Sequence, residues 1–340
     1  MIGFVINPVS GNGRGTKVWR QVEKELRKRG IPHEARFTEG AGDAEQLARE
    51  MARSGVFRTI AAVGGDGTVN EVVTGLISAA GAGGASLEKE LRWTGALVGC
   101  SFSYIPAGSG NDFARSHGIP EEPIAALNVL LDAAFGGASF DMDLLRLGET
   151  VAASSISCGF DAQVAITTNQ ASYKRWLNLI GAGKLAYVLS VLRVLFTYRP
   201  AALTLRVDGR ESRFERVWLV AVSNLPYYGG GFRINPSANA TDGLASVCVA
   251  FGLTRWQLLR LFPLVLSGKH VGHPAVRFFA GQRVDLFPEK PLPVQADGDP
   301  VLEDRLSIEV IPGVLPVAVT KPAAIRMEAR PERSIDDAAC

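Results

Sequence analysis

The chain has 340 residues, of which 47% are hydrophobic and 21% are charged, a balance typical of a soluble globular protein with room for two cores. Its 36 basic and 34 acidic residues create no strong field that favours nucleic acid, so we expect no nucleic-acid partner. The four cysteines lie far apart without a CxxC pair, which indicates reduced thiols. No basic segment precedes the first apolar run, and no run reaches the roughly 18 residues of a membrane span. The sequence therefore predicts a cytoplasmic protein.

The first predicted strand, Ile2–Ile6, leads through a glycine-rich segment into a helix predicted over Thr16–Arg29. The strand is apolar throughout, as expected when helices cover both faces of a parallel sheet. The glycine-rich segment lacks the spacing of a P-loop and that of a dinucleotide-binding turn. Its Asn7, Ser10 and Gly11 carry groups that suit phosphate. Taken alone, the segment is explained equally well as a flexible loop.

A second strand, Glu34–Thr38, and a second helix, Ala44–Arg53, lead to the stretch Thr59–Val73, which has the pattern of a buried strand, a glycine-rich turn and a helix. The glycines let a ligand approach the main chain, and the helix N-terminus offers unpaired N–H groups to phosphate. Asp66 in this turn would repel phosphate unless a cation lay between them, and Mg²⁺ holding a nucleotide is the simplest such cation. For this turn alone, an ordinary corner with an N-capping aspartate is the alternative.

A third glycine-rich turn, Ile105–Arg115, follows a flexible surface connection predicted over Ala80–Ser86. Its polar tips are Ser109, Asn111 and Asp112. The alternation of strands and helices predicts a parallel sheet with right-handed crossovers, and such sheets bind ligands at the carboxyl ends of their strands. Three glycine-rich turns at successive strand ends, two of them with an aspartate, favour one shared phosphate and metal site.

After a helix predicted over Ile124–Ala134, the hydrophobic pattern changes near Ser139 to the alternation typical of β-strands. Two helices, Tyr173–Thr197 and Trp256–Leu266, interrupt the strands. The strands predicted here are Phe140–Leu147, Val151–Ser157, Leu203–Val207, Phe214–Ser223, Ala245–Phe251 and Arg283–Phe287.

These patterns predict two domains and a tail. Residues 1–138 form an α/β domain, residues 139–320 a β-rich domain, and residues 321–340 a disordered tail. The strand-like segments Leu306–Ile311 and Val317–Val319 either close the second domain or return to the first. A homodimer is compatible with the sequence, which does not determine the oligomeric state.

Three blocks of the sequence resemble the signature motifs of the diacylglycerol kinase-like lipid kinases, and the soluble bacterial branch is the most similar. The blocks are Asn7-Pro8 with Ser10-Gly11, Gly64–Glu71, and Pro106–Ala114. Further matches follow in the family's order at Cys158–Ala162, Asn224 with Gly229–Gly231, Asp242–Leu244 and Gln295–Asp299. The GGDGT motif also occurs in NAD kinase-like and 6-phosphofructokinase-like folds, whereas the full set is specific to the lipid kinases.

The resemblance implies an NAD-kinase-like α/β domain with a parallel sheet that binds the nucleotide, a C-terminal all-β sandwich-like domain, and an active site between them. It implies attack of a lipid hydroxyl on the γ-phosphorus of ATP, with Mg²⁺ as the metal, by a protein peripheral to the inner face of the membrane. The lipid substrate at that surface is the expected partner. The residues implied around the nucleotide are Asn7, Ser10, Gly11, Thr38, Gly64, Gly65, Asp66, Gly67, Thr68, Asn70, Glu71, Gly108, Ser109, Asn111 and Asp112.

The resemblance also implies two magnesium sites. The catalytic site would be an acidic network of Asp66, Asp112 and Asp143. The second, structural site would be formed by Asn239, Asp242 and Leu244.

The catalytic base is implied to lie in the loop Gln295–Asp299, where this sequence departs from the family. The family usually has Asp-Gly-Glu, and this chain has Asp297-Gly298-Asp299. Aspartate is one methylene shorter than glutamate, so its reach falls by about 1.5 Å against a hydrogen-bond window of roughly 2.6–3.2 Å. The base is therefore Asp299 or Asp297. Asp-Gly is common in turns. An ordinary turn residue is therefore the alternative interpretation of both Asp297 and Asp242.

The basic and aromatic segment Tyr173–Trp176 precedes a long apolar stretch, Leu177–Phe196. A helix that begins in this way suits contact with a membrane surface. A core helix under the β-rich domain explains the same pattern at least as well.

The sequence thus predicts an ATP-dependent kinase of a lipid hydroxyl, with diacylglycerol or a related lipid as substrate. One alternative is an NAD-kinase-like enzyme with a soluble substrate, which would need an aromatic and polar pocket instead of an apolar channel. The other is a nucleotide-binding regulator without catalysis, which the Asp297-Gly298-Asp299 departure keeps open.

Overall fold

The computed structural model describes residues 1–80, 100–170 and 183–319. Three predictions fall wholly or partly outside these residues. They are the flexible connection at residues 81–86, the first part of the predicted long helix at residues 173–182, and the disordered tail at residues 321–340.

Four parallel strands form the N-terminal sheet in the order β2–β1–β3–β4. Every residue of β1 and β3 is buried, which accounts for their apolar sequences. Helix α2 packs on α3, and α1 packs on α5. The strands are β1 (Ile2–Ile6), β2 (His33–Phe37), β3 (Thr59–Gly64) and β4 (Ser101–Pro106). The helices are α1 (Ser10–Lys28), α2 (Asp43–Arg53), α3 (Asp66–Ala80), α4 (Asp112–His117) and α5 (Pro123–Gly136).

Helix α1 begins at Ser10, six residues before the predicted start at Thr16. Gly11, Asn12 and Gly13 inside it have positive φ angles of 56°, 58° and 84° and are not helical. The left-handed conformation carries little strain at glycine. The first glycine-rich turn is therefore a tight, non-helical segment that continues directly into a regular helix.

The C-terminal domain is β-sandwich-like and mainly antiparallel, with its helices packed on the strands. Among the described residues, no helix is both long and apolar enough to cross a bilayer. The strands are β5 (Phe140–Leu147), β6 (Thr150–Ala152), β7 (Ser155–Gly159), β8 (Ala201–Val207), β9 (Arg210–Ser223), β10 (Ala245–Phe251), β11 (Val276–Gly281), β12 (Arg283–Pro288), β13 (Val294–Ala296), β14 (Asp299–Val301) and β15 (Leu306–Val317). The helices are α6 (Phe160–Gln170), α7 (Gly183–Thr197), α8 (Arg255–Leu266) and a short 3₁₀ helix, Lys269–Gly272.

The structure differs from the predicted elements at several places in this domain. The predicted strand Val151–Ser157 is two strands, β6 and β7, because the chain turns at Ala153 and Ser154, whose N–H groups bind the Asp297 carboxylate. Helix α6 and strands β11, β13 and β14 were not predicted. Strands β13 and β14 have three residues each, too few to show a period.

Strand β15 connects the two domains. It contains the predicted segment Leu306–Ile311 and ends at Val317, the first residue of the predicted segment Val317–Val319. It pairs antiparallel with β12 and β5. Its last residue, Val317, pairs in parallel with Phe102 of β4. The chain thus returns to the N-terminal sheet after completing the second domain.

Candidate active site

The three glycine-rich turns pack against one another at the carboxyl ends of β1, β3 and β4. The carbonyl oxygen of Gly64 accepts the N–H of Ala107 at 2.6 Å and the hydroxyl of Tyr104 at 2.9 Å. Gly11 lies so close to the third turn that a Cβ on it would be 2.3 Å from the Ala107 oxygen. The structure therefore brings all three turns into one site.

Gly65 and Gly108 make the closest approach between the second and third turns. A Cβ on Gly108 would lie 2.5 Å from the Cα of Gly65. The obstacle is backbone on both sides, so the contact has no flexible side chain that could move away. These two glycines allow the turns to touch.

We expect Gly108→Ala to lower the free energy of unfolding by about 1–3 kcal/mol, the usual effect of overpacking. Gly67→Ala is the matched control, because a Cβ on Gly67 meets nothing within 4 Å and alanine favours the first turn of α3 by roughly 0.5–1 kcal/mol. Urea denaturation of both variants measures the difference. Equal stability of Gly108→Ala and wild type would contradict the tight contact.

Two polar residues connect the first and second turns. Asn7 Nδ2 donates to Thr68 Oγ1 at 3.2 Å, and Thr68 is buried. Thr38 lies directly after β2 and is also buried, with its N–H donating to Ile6 at 2.9 Å. Ser10 begins α1 at the same edge of the sheet. These predicted nucleotide contacts therefore lie at the strand ends, and their binding roles stay predictions.

Two other predicted nucleotide residues bind the protein itself. The Glu71 carboxylate accepts the N–H of Ala44 at 3.1 Å, in the first turn of α2. Asn111 Oδ1 accepts the Gly108 N–H at 2.9 Å and the Tyr104 hydroxyl at 3.0 Å. Asn111 therefore shapes the third turn, and Glu71 connects two helices.

The outer parts of the turns are open to a ligand. Gly67 and Ser109 are exposed. The Oδ1 atom of Asn70 is buried and has no hydrogen-bond partner among the described residues. A buried acceptor without a donor is unfavourable, and a nucleotide hydroxyl or a water would satisfy it.

Asp66 and Asp112 form an acidic pair at the centre of the site. A Cβ on Gly110 would lie 2.9 Å from Asp66 Oδ2 and 3.8 Å from Asp112 Oδ2, so both oxygens face the same small space. Asp66 Oδ1 accepts the N–H of Phe113 at 3.1 Å. Burial raises the pKa of Asp66. Burial, followed by the charge of Asp66, raises the pKa of Asp112 to about 6.

Asp112 also connects the acidic pair to the second domain. Its Oδ2 accepts the N–H of Gly230 at 2.6 Å, and its Oδ1 accepts from Arg115 at 2.8 Å. The Arg115 guanidinium lies 5.7 Å from the ring centre of Tyr227. The pair therefore lies where the domains meet. The sequence predicts no role for Arg115 or Gly230, although both lie in or beside the motifs shared with the lipid kinases.

The acidic pair has the chemistry of a magnesium site. Mg²⁺ is usually bound through one or two carboxylates, several waters and the substrate phosphates. Asp66 and Asp112 supply two hard oxygen ligands, and a cation would relieve the unfavourable burial of both charges. The described part of the chain has no group of three or more His, Cys, Asp or Glu side chains that could hold a metal. Phosphate oxygens and waters would have to complete the coordination.

Asp143 binds backbone N–H groups of the second domain. Asp143 is buried, its Oδ1 accepts the N–H of Gly313 at 2.7 Å, and its Oδ2 accepts the N–H of Gly243 at 2.8 Å. Both oxygens are thus used to hold β5, the loop before β10 and β15 together. The place of Asp143 in an acidic network with Asp66 and Asp112 stays a prediction.

Asp143 lies beside the predicted structural site, since its Oδ2 accepts the N–H of Gly243. Asp242 is exposed and its Oδ1 accepts the N–H of Leu244 at 3.0 Å. Burial and then the charge of Asp143 raise the pKa of Asp242, which places the two carboxylates near each other. Asn239 is also exposed, and its Oδ1 accepts the Thr241 hydroxyl at 3.0 Å.

The two aspartates of the last motif have different surroundings. The Asp297 carboxylate accepts backbone N–H groups of Ala153, Ser154 and Ser155 at 2.7, 3.0 and 2.8 Å. Burial raises its pKa to about 6, although the hydrogen bonds from these N–H groups lower it. The charge of Asp66 adds to the rise. Asp299 is exposed at the start of β14, and the surrounding chain excludes enough water to raise its pKa.

An apolar cavity lies in the second domain between α6, α8 and strands β9–β11. Its volume is about 50 Å³. Its polar groups are Asp161, Tyr228 and His270, and the Tyr228 hydroxyl donates to Asp161 Oδ2 at 2.8 Å. Apolar side chains make up most of the wall, among them Phe160, Val164, Leu258, Leu261, Phe262 and Val276. The sequence identified the motif Cys158–Ala162 but gave no signal for a cavity, because its wall comes from distant segments.

Two family models match the chain. Residues 1–140 match the diacylglycerol kinase catalytic domain, and residues 154–319 match the YegS C-terminal NAD kinase beta sandwich-like domain. A Mycobacterium tuberculosis protein named diacylglycerol kinase is 30% identical over 92% of this chain and 92% of its own. A Chromohalobacter salexigens protein named a probable YegS-like lipid kinase is 31% identical over 90% of each chain.

Solved structures show the same fold. A structure from Bacillus anthracis titled as a diacylglycerol kinase has a TM-score of 0.64 at 17% identity and covers 94% of this chain and 96% of its own. A second Bacillus anthracis structure has a TM-score of 0.70 at 19% identity and covers 94% of both chains.

Proposed function

Because the chain belongs to the diacylglycerol kinase-like lipid kinases, as its motifs predict, we propose that it transfers the γ-phosphate of Mg·ATP to a hydroxyl of diacylglycerol or a related lipid. The apolar cavity of the second domain carries this proposal. An aromatic and polar pocket would favour a soluble, nucleotide-like acceptor, whereas apolar side chains make up most of this wall and its polar groups are Asp161, Tyr228 and His270. Apolar walls suit acyl chains, whose burial is favourable by about 25 cal/mol per Å².

In the proposed reaction, the three turns would hold the nucleotide phosphates, and Asp66 and Asp112 would hold the metal. Bound Mg²⁺ would neutralise the phosphate charge. The lipid hydroxyl oxygen forms a bond to the γ-phosphorus while the bond from that phosphorus to the ADP oxygen breaks. The hydroxyl proton goes to a carboxylate of the last motif, for which Asp299 is the candidate. Asp297 holds that loop against the turn between β6 and β7.

Incubation with γ-labelled ATP, Mg²⁺ and a total lipid extract tests the proposal, with NAD and other soluble acceptors in parallel reactions. The labelled product is identified by its mass. We expect label in a lipid fraction and none in Asp66→Asn prepared in the same way. Label in a soluble acceptor alone would favour the NAD-kinase-like alternative. ATP binding with no labelled product would favour the nucleotide-binding regulator.

The loop that carries Asp242 is proposed to hold a second, structural Mg²⁺. Asp242 lies beside Asp143, and its carboxylate is exposed and can accept a hard cation. We expect Mg²⁺ to raise the melting temperature of the wild type and Asp242→Asn to weaken this dependence on Mg²⁺ concentration about tenfold or more. Asp132→Asn, at an exposed position of α5, is the control. An unchanged Mg²⁺ response in Asp242→Asn would exclude the site.

A further inference from the structure

Helices α7 and α8 expose apolar side chains on their outer sides. On α7, Leu189, Leu192 and Phe196 are 43%, 39% and 60% exposed, and their spacing of three and four residues places them on one side of the helix. On α8, Trp256 is 64% exposed and Leu264 is 36% exposed. Large apolar side chains exposed together on a soluble protein mark an interaction site.

The two helices contribute to one continuous surface. The rings of Phe196 and Trp256 are 6.5 Å apart, edge to face. Arg255 Nε donates to the carbonyl of Leu195 at 2.9 Å, which fixes the start of α8 against the end of α7. We call the surface formed by Leu189, Leu192, Arg193, Phe196, Trp256, Arg260 and Leu264 the docking face.

The charge around the docking face is positive. Residues 183–200 and 254–277, which contain both helices and the segments that follow them, include several lysines and arginines but no aspartate or glutamate. Arg193 and Arg260 are exposed. Neither forms an ion pair with any residue that the structure describes. Their charges are therefore free to attract an anionic surface.

We propose that the docking face binds the surface of an anionic phospholipid bilayer. Cations beside exposed leucine and aromatic side chains are the composition of helices that lie in the membrane interface. Tryptophan is favoured there because its ring is apolar and its N–H is polar. A second copy of this chain fits less well, because a two-fold interface brings one patch against itself and would set cations against cations.

Helix α8 carries part of the docking face and also forms part of the cavity wall. Leu258, Leu261 and Val265 of α8 line the apolar cavity from the inner side of the helix. A bilayer bound to the outer side of α8 would thus lie next to the cavity. This inference extends the lipid-kinase function proposed above, since it identifies the surface from which the lipid would be taken.

Vesicle sedimentation without ATP tests the inference separately from catalysis. The probes are vesicles of phosphatidylcholine alone and of phosphatidylcholine mixed with phosphatidylglycerol. We expect binding to the mixed vesicles that weakens at high salt. Each cation near such a surface contributes about 1 kcal/mol, so Arg193→Gln with Arg260→Gln should weaken binding roughly 25-fold. Phe196→Gln with Trp256→Gln should also abolish most binding.

The control carries Arg53→Gln and Phe135→Gln, which remove an exposed cation and an exposed aromatic ring from the N-terminal domain. It should bind vesicles as the wild type does. Equal binding by the docking-face variants would overturn the inference, even if the enzyme phosphorylates a soluble short-chain diacylglycerol. A wild type that ignores vesicles but loses a dimer in the docking-face variants would show an interface between copies instead. Vesicle binding through this face without lipid phosphorylation would overturn only the proposed function.

Discussion

Asp66→Asn is expected to abolish phosphoryl transfer and to leave the protein at least as stable as the wild type. Asparagine keeps an oxygen that can accept the Phe113 N–H, so the local fold is retained. The variant loses the negative charge that would hold Mg²⁺ beside Asp112. Loss of one preorganised electrostatic group in an active site commonly lowers the rate by about 10²–10³-fold, and loss of the metal would lower it further.

The stability of Asp66→Asn follows from the raised pKa of Asp66. A buried carboxyl whose folded pKa lies above its unfolded value binds its proton more tightly in the folded state, so the folded state loses stability as pH rises through that range. At neutral pH the wild type carries this penalty and the asparagine variant does not. Initial rates with Mg·ATP and thermal unfolding at neutral pH measure both effects.

Asp43→Asn is the matched control for Asp66→Asn. Asp43 is also the first residue of a helix, and its Oδ2 accepts the N–H groups of Glu39 and Gly40 at 2.7 and 2.8 Å. It is half-buried, and no described contact joins it to the acidic pair. Its replacement should leave the rate unchanged and cost a few tenths to about 1 kcal/mol of stability. Wild-type turnover in Asp66→Asn would remove Asp66 from the site.

The sequence predicts the meeting of the three glycine-rich turns well because its determinants are local. Each turn follows a short apolar strand, and the carboxyl ends of neighbouring parallel strands must meet at one edge. Glycine at positions 11, 65 and 108 then indicates close backbone approach, which the structure shows directly. Strands β1, β5 and β10 have the predicted bounds because their hydrophobic patterns are clear and turn residues follow them.

The remaining features depend on contacts between distant segments. The bond from Gly230 to Asp112 spans 118 residues, and the bond from Gly313 to Asp143 spans 170. No local pattern shows that the Asp143 carboxylate binds two backbone N–H groups from distant segments. The cavity wall likewise combines α6, α8 and three strands, so its shape appears only after folding.

The two aspartates of the last motif differ in hydrogen bonding and exposure, as expected if Asp299 is the base and Asp297 positions its loop. Four hydrogen bonds from three backbone N–H groups reach the Asp297 carboxylate, so it is held in place and has little capacity left for a proton from the substrate. Asp299 is exposed two residues away. A raised pKa makes Asp299 a stronger base once it is ionised. The charge of Asp66 contributes to the raised pKa of Asp297, so the two carboxylates lie within electrostatic range of each other.

Asp299→Asn should therefore lower kcat by about 10²–10⁴-fold, the usual loss for a general base, with little change in ATP affinity. In the wild type, kcat/KM should rise with pH through the raised pKa of Asp299, because only the ionised carboxylate accepts the proton. Asp299→Asn should lose this dependence. Asp299→Glu should keep or raise activity, since the added methylene restores the reach usual in the family. Initial rates across pH and ATP titrations measure these effects.

Asp297→Asn distinguishes the catalytic base from the residue that positions its loop. Asparagine turns one acceptor oxygen into an N–H₂ donor that faces backbone N–H groups, and a buried donor left without its acceptor costs about 1–3 kcal/mol. We expect Asp297→Asn to lose stability and activity together but to keep the acid limb of the pH profile, because Asp299 remains. If Asp299→Asn keeps near-normal kcat while Asp297→Asn is inactive, the two roles are exchanged. If both variants turn over normally, the proton goes to another group, and the phosphate itself becomes the candidate.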